Sequence, residues 1–166
     1  MPSVGRDEIG KDLTWFTLDF LVSNYITNFP SHTLKLFDLV GIYWGFCRIG
    51  DSASTNGNRV YKTACSIGYN PTYHNTVKTV EPHLIAPPDD ERRHKSSCGE
   101  SVLGEFYDQK IRLSLVGYLR PELPFEGLDK LIAAIKKDIS DAERLGDGTD
   151  TLTILEKEWV ASNEPV

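Results

Sequence analysis

The sequence has little of what would mark a disulfide-stapled, membrane-spanning or nucleic-acid-gripping protein. Its 166 residues hold three cysteines, Cys47, Cys65 and Cys98. They are widely spaced and form no Cys-x-x-Cys pair, which argues against a bridge framework or a zinc site and suits a reducing compartment. His94 and Cys98 stand four residues apart but lack the two further ligands a metal would need. No basic segment leads into an apolar core near the N-terminus, and the most apolar run, residues 39–47, is far too short for a bilayer. A soluble, cytoplasmic protein without membrane partners is the expectation. A basic excess is missing too: the net charge is -6 and the pI is near 5.2, which argues against a nonspecific hold on nucleic acid. The cluster Arg92-Arg93-His94-Lys95 directly follows Asp89-Asp90-Glu91 and reads as a solvated loop. No internal repeat or linker divides the chain. One domain over 1–166 is expected, large enough to bury about two thirds of its unfolded surface.

What is present is a series of strand-like runs followed by one helix. Residues 41–49 and 59–67 are rich in aromatic and β-branched types and are separated by the turn-forming stretch 50–58, so they read as a long-looped hairpin. Residues 77–85 predict a third strand and residues 106–119 a fourth, with Ile111, Leu113, Leu115, Gly117 and Leu119 alternating against Lys110, Arg112, Ser114, Val116 and Tyr118. A further strand is predicted between Asp12 and Leu21, where Leu13, Trp15, Thr17 and Asp19 share a face. A helix opens near Glu126-Gly127, its stripe formed by Leu128, Leu131, Ile132, Ile135, Ile139 and Ala142, and ends at Gly146 and Gly148. Residues 152–159 fit a short helix or a strand equally. Several strands with turn-rich connections and a late helix suggest a small closed antiparallel barrel, since closure removes exposed edges.

Period-two alternation puts Val77, Thr79, Glu81, His83 and Ile85 on one face and Lys78, Val80, Pro82 and Leu84 on the other. Taken alone, a strand glutamate is most often a solvated charge. Ser66-Ile67-Gly68-Tyr69-Asn70-Pro71 and Gly117-Tyr118-Leu119-Arg120-Pro121-Glu122 change that weighting, because with the segment around Glu81 they resemble riboflavin kinase of the eukaryotic type over roughly residues 41–145. The resemblance implies a mainly β fold, a six-stranded Greek-key barrel with one C-terminal helix packed outside. It implies phosphorylation of riboflavin by ATP at the ribityl 5'-hydroxyl, giving FMN and ADP, in a monomer.

Residue by residue, the resemblance makes Glu81 the general base. His83 is expected to be a buried, satisfied imidazole that shapes the strand or pocket. The family's Lys-Asp-Leu-Gly-x-Pro-Thr-Ala-Asn-Phe segment matches Lys11-Asp12-Leu13-Thr14-Trp15-Phe16-Thr17-Leu18-Asp19-Phe20. Thr17 is kept and Asp19 replaces the amide, so these two would hold Mg2+, with Zn2+ or Mn2+ as substitutes. The phosphate loop matches Gly5-Arg6-Asp7-Glu8-Ile9-Gly10, where Arg6 and Gly10 would contact nucleotide against two acids. Asn70, and Arg120 beside bound flavin, complete the expected binding set, although Arg120 paired with Glu122 or a helix carboxylate is equally expected. Residues 1–40 form a divergent nucleotide-loop region, and residues 86–104 an insertion expected to be flexible. The rival reading is a flavin-binding barrel that has lost its grip on ATP.

Overall fold

The structure is a computed structural model that describes residues 39–50, 59–69, 78–89 and 110–163, and the backbone alone of residues 16–21. The elements run β1 (Phe16–Leu21), β2 (Gly41–Ile49), β3 (Tyr61–Tyr69), β4 (Lys78–Ile85), β5 (Lys110–Arg120), α1 (Leu128–Gly146) and α2 (Thr151–Ala161). The five strands form one sheet in the order β1-β5-β2-β3-β4, with every neighbouring pair antiparallel. Among the described residues, β1 and β4 are its edges and no pairing closes it into a ring. No helix of the described residues is long and apolar enough to cross a membrane.

β2 is buried along its whole length, because both faces of the sheet's centre are covered. On one face Tyr43, Cys47, Cys65, Ile67, Val80, Ile111, Leu113 and Leu115 form an apolar core, and Leu84 packs on it. On the other, Trp44, Phe46, Ala64, Ile85 and Val116 meet Ala142 of α1 and Val160 of α2. The alternation expected along β5 holds only as far as Val116. Gly117 pairs with Trp44 but Leu115 with Gly45, so Val116 is an extra residue that turns the following side chains over. Leu119 therefore joins Val116 on the helix-covered face, while Tyr118 meets Tyr43 edge-on at 5.3 Å.

The C-terminal region holds two helices rather than one, and residues 152–159 are helical. α2 is capped at its start by Asp150, whose carboxylate accepts from Thr153 N at 3.0 Å and from Thr153 Oγ1 at 2.7 Å. At its end, two buried arginines from adjacent strands hold the final carbonyls. Arg48 and Arg112 are cross-strand partners. Arg48 Nη2 donates to Ser162 O at 2.8 Å and Arg112 Nη1 to the same oxygen at 2.6 Å. The Arg112 guanidinium also lies 4.6 Å from the centre of the Trp159 ring. Between these ends, buried Ser114 donates to Glu156 at 2.7 Å.

Candidate functional site

α1 touches the sheet with its later turns and stands off it with its earlier ones. Its buried residues are Asp138, Ala142 and Gly146, whereas Leu128 is 68% exposed and Ile135 41% exposed. The first half of the apolar stripe thus stands over the sheet without packing on it. A cavity of about 810 Å³ lies there, walled by Ile42, Ala64, Phe125, Leu128, Leu131 and Ile135.

The polar end of this cavity is built by β4 and by the segment following β5. Glu81 and His83 project into it with Thr79, and Arg120, Glu122 and Asp138 complete its titratable lining. The face expected from alternation is the observed one, since Val80 lies in the opposite core. Glu81 is exposed to the cavity and held by Thr79, whose hydroxyl donates to Glu81 Oε1 at 2.9 Å. The same hydroxyl reaches Gly68 O at 3.4 Å.

His83 departs from expectation. It is exposed rather than buried, because the helix does not come down over this end of β4. Its backbone carbonyl accepts from buried Thr63 at 2.9 Å, and partial desolvation holds the imidazole below the usual histidine value. A neutral ring at pH 7 follows.

Arg120 is tied to a helix carboxylate, one of the two alternatives its sequence context leaves open. Nε donates to Asp138 Oδ1 at 2.8 Å and Nη2 to Oδ2 at 2.7 Å, a two-pronged pair. The guanidinium also lies 5.4 Å from the Phe125 ring centre. Asp138 was hidden in the sequence on the flank of an apolar stripe. The only signal for it is its position one turn before Ala142.

In the sequence, Glu122 stands out only as a partner for Arg120. The structure sets it on Gly68: a methyl group on that glycine would stand 1.9 Å from Glu122 Oε2. Burial pushes the Glu122 carboxyl up, the Glu81 charge pushes it further, and Arg120 opposes both.

The expected metal residues lie on β1, where Thr17 pairs with Ser114 and Asp19 with Arg112. β1 and β4 are opposite ends of the sheet order, so the described strands do not themselves bring Thr17 and Asp19 to Glu81. A hydroxyl and a carboxylate two residues apart on one strand are nonetheless donors that suit a hard cation such as Mg2+. Among the described residues, no group of three or more His, Cys, Asp or Glu could hold a metal ion. Arg6, Gly10, Asn70, His94 and Cys98, and residues 90–104 of the insertion, lie outside the described residues. Cys47 and Cys65 are free and buried, and burial pushes both thiols up, which removes them as nucleophiles.

A family model described as Flavokinase: Riboflavin kinase matches residues 4–145. The riboflavin kinase of Homo sapiens is 34% identical over 120 residues, covering 70% of this chain and 64% of that protein. The riboflavin kinase of Mus musculus is 35% identical with the same coverage. The chain thus spans just under two thirds of these relatives' length, 64%. In fold, the chain is similar to the crystal structure of riboflavin kinase from Trypanosoma brucei, with a TM-score of 0.59, 18% identity and 95% of both chains covered.

Proposed function

Since the chain belongs to the riboflavin kinase family, we propose that it transfers the γ-phosphoryl group of ATP to the ribityl 5'-hydroxyl of riboflavin, giving FMN and ADP. The observation that carries this reading is Glu81 at the polar end of an otherwise largely apolar cavity of about 810 Å³, a size and lining suited to a planar aromatic ligand. Glu81 takes the hydroxyl proton as the 5'-oxygen attacks the γ-phosphorus in line. Thr79 keeps the carboxylate turned toward its target through the 2.9 Å hydrogen bond. Neutral His83 shapes the rim beside it. The exposed leucines and isoleucines of α1 take the isoalloxazine ring, while Arg120, steadied by Asp138, borders it.

Thr17 and Asp19 supply oxygens for Mg2+, which when bound screens the triphosphate. Their route to Glu81 is closure of the sheet. A sixth strand joining the β1 and β4 edges would complete a Greek-key barrel, and the likeness in fold over 95% of the chain supports it. Arg6, Gly10 and Asn70 surround the nucleotide in this reading. A rival is favoured by one feature: Asp7 and Glu8 fall in the stretch that matches the phosphate loop, where they would repel the triphosphate and leave a barrel that binds flavin alone.

The test is FMN formation from riboflavin, ATP and Mg2+. Turnover is expected, and Glu81→Gln should lower it roughly 100-fold or more while riboflavin still binds. Unchanged turnover in this variant removes Glu81 from the role of base. Riboflavin binding without any binding of ATP-Mg2+, in separate calorimetric titrations, replaces the kinase with the rival.

A further inference from the structure

The titratable residues lining the cavity are five among those described: Glu81, His83, Arg120, Glu122 and Asp138. Their charges do not balance. Arg120 is spent on Asp138, both prongs of its guanidinium meeting both carboxylate oxygens, so this pair is neutral as a unit. His83 is uncharged near pH 7, its imidazole being held below the usual value. Glu81 and Glu122 are left, and among the described residues no ion pair reaches either one.

These two acids are brought close together across the pairing of β3 with β4. Glu122 lies against Gly68, Gly68 is the cross-strand partner of Thr79, and the Thr79 hydroxyl holds Glu81. A larger residue at position 68 would push Glu122 away, so the glycine is what admits it. The mutual repulsion shows in the raised pKa of Glu122, to which the Glu81 charge contributes.

We propose that Glu122 is a selectivity residue which, with Glu81, makes the polar end of the cavity accept an uncharged polyol and disfavour its phosphate ester. This rests on the reading of the cavity as the flavin site. The substrate brings a neutral hydroxyl to the two carboxylates. The product leaves a phosphate dianion in the same place, where like charges a few ångströms apart repel by about 1 kcal/mol per charge pair even at the dielectric constant of water. One base would suffice for proton abstraction; the second acid acts on the product, loosening it once the cation that screened the transferred phosphate departs.

The experiment measures dissociation constants of riboflavin and of FMN by quenching of flavin fluorescence, with EDTA and without nucleotide, at low and at high salt. In the parent protein FMN should bind more weakly than riboflavin, and the gap should narrow as salt screens the repulsion. Glu122→Gln should tighten FMN about fivefold and leave riboflavin within about twofold, with a smaller salt effect. Glu122→Asp keeps the charge and should keep the parent's preference, which separates charge from shape. Riboflavin binding with an FMN-to-riboflavin ratio indifferent to Glu122→Gln and to salt overturns the selectivity role alone. Failure of the parent to bind either flavin overturns the functional reading beneath it.

Discussion

At the scale of single residues, the glycines show how differently a close contact can be relieved. A methyl group at Gly45 would stand 1.8 Å from the Ser114 carbonyl oxygen, and at Gly68 it would stand 1.9 Å from Glu122 Oε2. The distances are nearly equal, yet one neighbour is ladder backbone and the other the far end of a flexible side chain. Gly45→Ala should therefore cost about 3 kcal/mol or more, or prevent folding, by separating β2 from β5. Gly68→Ala should stay within about 1 kcal/mol of the parent, because Glu122 can swing out and a strand gains from losing a glycine. Midpoints of urea unfolding measure both. The displaced Glu122 in Gly68→Ala should also shift flavin selectivity in the direction of Glu122→Gln, an effect that packing alone would not produce.

At the scale of elements, α2 depends on its caps because its buried set is Thr153, Glu156 and Val160, a face with little apolar area. Asp150→Ala should cost about 1 kcal/mol in thermal stability. The loss should itself depend on pH. The Thr153 hydroxyl and backbone amide hold the Asp150 carboxyl below its usual value. The cap therefore contributes fully above the unfolded-state value of about 3.9 and fades as pH falls through the lower folded-state value. Parent and variant should converge in melting temperature as the solution is acidified.

The same composition explains what could be read from the sequence. β2, β3, β4 and β5 were legible because aromatic and β-branched runs alternate between turn-rich stretches, and α1 because its stripe is long. The helical nature of residues 152–159 was not, since its exposed side includes Ile154 and Leu155 while a threonine and a glutamate are buried. Pattern recognition by hydrophobicity points such an element the wrong way round. Glu81 could be aimed by alternation because β4 keeps its register throughout. Leu119 could not be, because the extra residue at Val116 is a property of the pairing with β2 and has no marker in β5 itself. The pairing of Arg120 with Asp138 spans 18 residues and two elements, so charge alone could name candidates but not choose between them.

At the scale of the whole molecule, the sheet and helices divide the labour. The strand face bearing Cys47, Cys65 and Leu113 is a sealed apolar core, and its opposite face is filled under α2 and the later turns of α1 but left open under the earlier ones. The cavity occupies ground where packing stops, which is why its walls are largely apolar. The proposed barrel closure bears on β4, an edge of the sheet among the described residues. If a further strand pairs there, the β4 amides that do not bond to β3 should exchange with solvent as slowly as those of β2, whereas an open edge would exchange them much faster. Hydrogen exchange resolved by residue decides between the two.

The arginines at the tail of α2 carry a last consequence. Arg48 and Arg112 grip peptide oxygens, and neither a guanidinium nor a carbonyl changes its protonation in acid. The front of that helix hangs on a carboxylate and its tail on partners that acid leaves alone, so acidification should fray α2 forwards, its first turn loosening while its last stays clasped to the sheet.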